Sequence, residues 1–202
     1  MIILGLNGSP RADGNTAFML NKALAGASEL GAETKLIQLA ECVLTADPLF
    51  CDACTNPCVG ACYRDTPLGD VLELIKAADG IILGSPVYFG TIASPMKLFW
   101  DKTRALRKEK ALVDVVGAAV TVGASRFGGQ ELTVRALHDI MLVHGMTIVG
   151  DGAYENDPGH HGACAQKPAQ DDPLAANRSR IIGRRVTEVA QATRSLRNRK
   201  KG

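Results

Sequence analysis

The chain has 202 residues, 46% of them apolar and 22% charged, with a formal net charge of +2. That composition is ordinary for a globular protein with one well-filled core, and it gives no overall electrostatic case for binding nucleic acid or a membrane. No apolar run approaches a membrane span and no secretory leader is visible, so the expected location is the cytoplasm. Thiols stay reduced there, and six cysteines need a purpose other than disulfides.

In chain order, an apolar run predicts a strand over Ile2–Leu6. A small polar loop and a helix over Thr16–Leu30 follow, with Asp13 and Asn15 as candidate caps and Gly31 as the stop. Glu33–Leu39 reads as the second strand. The segment Ala40–Pro67 then breaks the regular pattern and holds five of the six cysteines. A helix over Leu68–Ala78, a strand over Gly80–Gly84 and a helix over Ser94–Leu106 come next, with Pro95 in a first turn that tolerates proline. A strand over Asp114–Val122, a helix over Gln130–His144 and a strand over Met146–Val149 complete the alternation. Asp151–Pro173 is a second irregular stretch, and Leu174–Leu196 reads as a last helix. The basic run of Arg194, Arg197, Arg199, Lys200 and Lys201 reads as a solvated tail.

Five strands alternating with five helices, several of the strands apolar throughout, predict an α/β fold with a doubly wound parallel sheet. The expected organisation is a single domain over 1–202, with a cysteine-rich insertion at 40–67 and an irregular one at 151–173. In such sheets ligands bind beyond the carboxyl ends of the strands, at the switch point of strand order.

Three strand ends carry loops of unusual composition. After the first strand comes Gly8-Ser9-Pro10-Arg11-Ala12-Asp13-Gly14-Asn15-Thr16. A strand, a small polar loop and a helix N-terminus make an anion site, because unpaired backbone N–H groups and the positive end of the helix dipole converge there. The loop lacks the lysine of a triphosphate-binding loop and the spaced glycines of a dinucleotide site, which suits a monophosphate. Ser85 to Ser94 follow the third strand, with Pro86, Val87, Tyr88, Phe89 and Gly90 offering aromatics and free amides. Gly123 to Gln130 follow the fourth, where glycines permit close approach of a flat ring. A planar ring joined to a monophosphate fits all three loops.

On Gly8-Ser9-Pro10-Arg11 with Asn15-Thr16, Gly84 to Gly90, Pro95-Met96-Lys97 with Asp101, and Gly128-Gly129-Gln130, the chain resembles the NADPH-dependent FMN reductase group of flavodoxin-like proteins, and in particular the iron–sulfur flavoproteins. The resemblance runs from Met1 to about Val149. It implies a flavodoxin-like five-stranded sheet with helices on both faces, and an FMN-dependent oxidoreductase. By it, Ser9, Arg11, Asn15 and Thr16 bind the FMN phosphate. Pro86, Val87, Tyr88, Phe89 and Gly90 line the isoalloxazine, and Gly123, Ser125, Gly128 and Gly129 close the other side. Tyr88 and Phe89 either stack on the flavin or fill an interface. No side chain is required as a general acid or base, since the flavin carries the redox chemistry.

Cys51, Cys54, Cys58 and Cys62 sit in one short loop, with gaps of two, three and three residues. Compact all-cysteine spacing suits a [4Fe–4S] cluster; structural zinc and a packed, metal-free thiol loop are the alternatives. Iron–sulfur flavoproteins carry a compact cysteine motif at this place, usually with gaps of two, two and a longer last one, so this chain departs slightly. Cys42 reads as a small apolar filler, and Cys164 is assigned no role. His160 and His161 are neighbours on an extended segment and point apart, which favours an exposed loop over a metal site. His138 and His144 read as surface or partly packed residues.

Two activities share the same FMN site: electron transfer between a cluster and FMN, and a cluster-free NAD(P)H-dependent reduction of flavins or quinones. A passive flavin-binding protein is a third possibility. Family likeness also implies a homodimer or homotetramer, with Phe89, Met96, Phe99 and Trp100 as apolar surface or as the inner face of a helix. A small-molecule or protein electron carrier is the expected partner.

Overall fold

A computed structural model of the chain describes residues 1–198; Arg199, Lys200 and Lys201 of the expected tail lie outside the described residues. Its strands are β1 (Ile2–Asn7), β2 (Glu33–Gln38), β3 (Gly80–Tyr88), β4 (Thr91–Ile92), β5 (Val116–Gly123), β6 (Thr147–Ile148) and β7 (Ala163–Gln166). The helices are α1 (Asn15–Ser28), α2 (Leu39–Val43), α3 (Pro67–Lys76), α4 (Ser94–Asp101), α5 (Arg104–Lys108), α6 (Gln130–Val143), α7 (Pro173–Ala192) and α8 (Arg194–Asn198). The sheet runs β2-β1-β3-β5-β6 with parallel neighbours, which is the flavodoxin-like doubly wound order. Strand β4 adds an antiparallel hairpin to β3, and β7 pairs in parallel with β5, raising the expected five strands to seven.

Alternation along the central strands feeds two separate cores. Leu4, Leu6, Ile81, Leu83 and Ala119 face a layer built from α2 to α6. Ile3, Ile82, Val116, Ala118, Val120 and Val122 face α1 and α7. Helices α1 and α7 lie close enough for Ser179 Oγ to donate to the carbonyl of Met19 at 2.8 Å.

Several local expectations change. Helix α1 is capped by the backbone of Gly14 with no side-chain cap, so neither Asp13 nor Asn15 serves that role. Two unanticipated caps appear instead: Thr66 accepts from Gly69 N on α3, and Asp172 accepts from Ala175 N on α7. The expected helix over Ser94–Leu106 breaks in two at Lys102 and Thr103, where the Thr103 hydroxyl turns back to donate to the Trp100 carbonyl at 2.7 Å. Met96, Phe99 and Trp100 are buried within the chain, so they are core and not interface. His144 is also buried, its ring 5.0 Å from that of Trp100. The segment 151–173 is not irregular throughout, since it carries β7. Nor is the whole basic terminus a free tail: Arg197 Nη2 reaches Asp79 at 3.1 Å.

Candidate functional site

The first loop is drawn tight by the last residues of β1 and β2. Asn7 is fully buried; its Oδ1 accepts from Ser9 N at 3.0 Å, and its Nδ2 donates to Gln38 Oε1 and to the Arg11 carbonyl. Ser9 Oγ accepts from Arg11 N, and Gln38 Nε2 donates to the Ala12 carbonyl. With no side-chain cap on α1, its first amides have no acceptor within the helix, and the positive end of the helix dipole is left facing the loop. Ser9 and Thr16 are buried beneath the loop, while Arg11 is exposed at its rim with no carboxylate in ion-pair range among the described residues. Asn15 is half-buried, and its Oδ1 is taken by Ala169 N at 2.8 Å, leaving its amide nitrogen as the remaining polar end.

The second loop is joined to the first by Gly8 N donating to the Gly84 carbonyl at 2.8 Å. Ser85, buried, accepts from Ala93 N through its hydroxyl and so closes the loop at its base. Tyr88 and Thr91 pair across a two-residue turn in which Phe89 and Gly90 both take positive φ, +49° and +77°. That is the type I′ signature, where an aromatic residue is costly. Phe89 is fully exposed at the tip and Tyr88 partly so, while Pro86 and Val87 are half-buried.

The third loop is organised by Gln130, a buried amide that accepts from Gly128 N at 2.8 Å and donates to the Ser125 carbonyl at 2.7 Å. Gly123 is buried under that amide, whereas Ser125 is exposed. Gly129 caps α6 at φ +91°, and a Cβ there would sit 3.2 Å from Gly90 Cα and 3.4 Å from Val87 Cγ1. All three loops therefore meet at the carboxyl ends of β1, β3 and β5. A cavity of about 750 Å³, lined by Arg126, Phe127, Gln130 and Cys164 among others, abuts the third loop. A larger cleft of about 1220 Å³ lies apart from the three loops, between residues 148–160 and α7.

Asn7 and Gln38 are organising side chains that motif reading passed over, while Ser85 and Gln130 stood inside the quoted motifs with no role assigned to them. For Asn7 and Ser85 the signal was a polar residue directly after an apolar run, where burial demands a hydrogen-bond role.

The cysteine segment is a closed loop. Asp47 N donates to the Cys62 carbonyl at 2.9 Å, so residues 47–62 leave and return at one neck, as in an Ω-loop. Cys54 is exposed and Cys51, Cys58 and Cys62 are half-buried. The phenol of Tyr63 is pushed up to about 12, first by burial and then by the neighbouring Cys58 and Cys62 thiols. Four thiols supply the number and type of donor that an iron–sulfur cluster takes. The fit is one of donor chemistry, since among the described residues no three His, Cys, Asp or Glu side chains converge into a metal-holding group. Cys42 is the buried filler expected, its thiol pushed up to about 11 by burial. His160 and His161 are exposed on their loop. Among the described residues no helix is long and apolar enough to cross a membrane.

Residues 1–160 match the family model of NADPH-dependent FMN reductase. The chain is 39% identical over 196 residues to an iron–sulfur flavoprotein of Methanocaldococcus jannaschii, covering 95% of this chain and 98% of the relative. It is 34% identical over 200 residues to an iron–sulfur flavoprotein of Methanosarcina thermophila, covering 98% and 100%. A flavodoxin, WrbA-like protein from Agrobacterium tumefaciens superposes with a TM-score of 0.67 at 22% identity, over 95% of this chain and 97% of that one, a likeness of fold. The chain belongs to the NADPH-dependent FMN reductase family and, within it, groups with the iron–sulfur flavoproteins as an FMN-dependent oxidoreductase.

Proposed function

We propose that the three loops hold FMN, that the 47–62 loop carries a [4Fe–4S] cluster on Cys51, Cys54, Cys58 and Cys62, and that the protein passes electrons between the two and an external carrier. The observation that carries the FMN site is the meeting of three glycine-bearing loops beside the uncapped N-terminus of α1. When bound, FMN supplies the electron-accepting ring, and the chain binds and orients it. Amides of α1, with Ser9, Arg11, Asn15 and Thr16, grip the phosphate. Pro86 to Gly90 with Ser125, Gly128 and Gly129 would face the ring, Gly123 would support that side from beneath the Gln130 amide, and amides of the 87–90 turn would donate to the polar edge of the ring.

The cluster assignment rests on the four-thiol donor set and on the names of the full-length relatives. A second reading, a cluster-free NAD(P)H-dependent FMN or quinone reductase, is favoured by the spread of the thiols along the loop. Under either reading we take the chain as one cytoplasmic FMN domain that assembles as a homodimer or homotetramer.

Protein purified without oxygen, supplied with FMN, iron and sulfide, separates these readings. Quenching of FMN fluorescence together with a cluster absorbance band and stoichiometric iron is the expected result. FMN uptake without iron leaves the reductase reading, and absence of FMN uptake defeats the assignment of the three loops.

A further inference from the structure

Met96, Phe99 and Trp100 belong to the core, so a second copy of the chain has to be met by another surface. Helix α6 offers one. Its inner side, with Thr133, Val134, Leu137 and Met141, is buried against the sheet. Its outer side carries Leu132, Leu142 and Val143, which are 61%, 59% and 57% exposed. Apolar side chains scattered singly over a surface are ordinary, but these three share one face of a single helix with Arg135 and Asp139, within an arc of roughly 100° at 3.6 residues per turn. Arg135 and Asp139 are exposed as well. Although one turn apart, they form no ion pair with each other or with any other described residue.

The order of these side chains is symmetric about Leu137. Leu132 stands five residues before it and Leu142 five after; Arg135 stands two before and Asp139 two after. An antiparallel copy of the helix, related by a two-fold axis beside Leu137, therefore sets leucine against leucine at both ends and arginine against aspartate twice in the middle. A parallel copy in register would set like charge against like. The ends are complementary too. Glu131, exposed in the first turn and without an ion pair, falls opposite the partner's Val143. Beside Val143 lies a cavity of about 630 Å³ whose lining holds Arg104, Arg107 and Lys108 and no carboxylate.

We propose that the outer face of α6 is a two-fold interface on which a second copy of this chain lies antiparallel, with Arg135 paired to the partner's Asp139. This rests on the assembly put forward above, whose contact face it names, and is independent of FMN and of any cluster. Exposed charge pairs add little affinity, but they fix register, because a wrong register brings like charges together. The apolar ends supply the attraction.

Sedimentation velocity of the full-length protein with FMN present, over a series of concentrations, tests the proposal. It compares wild type with Arg135→Glu, Asp139→Lys, the double variant, and an equimolar mixture of the two single variants. Each single change makes the facing positions alike in charge and should raise the dissociation constant of this contact roughly tenfold or more. The double variant exchanges the signs on both sides and should associate like wild type. The mixture should associate too, since each variant supplies the charge the other lacks. Single variants that associate like wild type overturn the proposal, as does a mixture or double variant that stays apart. Thermal melts check that each variant folds. Should a charge variant fail to fold, Leu132→Gln with Leu142→Gln removes the apolar ends instead, and undiminished association there overturns the proposal equally. A wild-type chain that is monomeric at every concentration defeats the assembly reading and this interface together, whereas an assembled wild type indifferent to these changes defeats the interface alone.

Discussion

Gly129→Ala is the sharpest perturbation of the proposed FMN site. At φ +91° an L-residue pays about 1–2 kcal/mol for the left-handed backbone. The new methyl would also stand 3.2 Å from Gly90 Cα, closer than a comfortable contact, so the 87–90 turn or the 123–129 loop must give way by a few tenths of an ångström. In a domain of this size each kcal/mol lowers the melting temperature by roughly 2–4 °C, so the variant should melt about 2–8 °C lower. On the proposed placement of FMN, displacing the 87–90 turn should weaken binding by roughly tenfold, or about 1.4 kcal/mol. Gly31→Ala is the control: φ is +79° there, but nothing lies within 4 Å of the added methyl, and the position follows α1 at its far end from the phosphate loop. It should cost similar thermal stability and leave FMN affinity unchanged. Fluorescence titration of FMN alongside thermal melts of the FMN-free proteins measures both. Wild-type affinity in Gly129→Ala, or equal weakening in Gly31→Ala, would refute the claim that contact between these two loops shapes the site.

Burial, with Arg107 as a lesser cause, pushes His144 down to about 4 from its ordinary 6.5. The unfolded chain therefore takes up a proton that the fold refuses. The contribution of His144 is whole above pH 6.5 and is lost as pH falls toward 4, by about 3 kcal/mol; denaturant melts should show that slope, and His144→Phe should flatten it. Asp151 is fully buried, accepting from His160 N and from Arg178 Nη1 at 2.8 Å. Arg178→Ala strands that carboxylate and should cost about 3–5 kcal/mol by chemical unfolding, with Asp151→Asn in the same chain recovering much of it. Phe89→Asn relieves an aromatic at φ +49° and should raise the melting temperature by about 2–4 °C. If Phe89 faces the flavin, the same change reduces quenching of bound FMN, and unchanged quenching removes it from the ring contacts.

The sheet and its switch point were legible because each central strand is an apolar run between turn residues, and because the amphipathic helices between them leave only one handed way to wind. The three loops were legible for the same reason: glycine and hydroxyl residues stand where an apolar run stops. Trp100 and His144 were not, since a helix carrying Met96, Phe99 and Trp100 reads alike whether its apolar face meets a sheet or another subunit. The break at Thr103 was hidden too. It depends on a hydroxyl choosing a carbonyl three residues back over water, and the pattern of side-chain polarity does not register that choice.

Hidden most completely was the purpose of the late segment. Strand β6 pairs with β5 at Val116 and Gly117, and β7 pairs with the same strand at Val120 to Gly123, so a single edge position is filled by two pieces of chain with residues 149–162 looped out between them. The second piece reaches the carboxyl end of β5, where the cradle is built. From there Ala165 accepts from the Gln130 amide that organises the third loop, and Ala169 N caps the Asn15 side chain beside the first. Lys167 N extends the ladder to the Gly123 carbonyl. A continuous fifth strand would have covered the edge of the sheet equally well. Splitting it lets the returning chain brace both the first loop and the third loop from behind, so these contacts, more than the Gly-, Asp- and His-rich excursion itself, account for the segment's place in the fold.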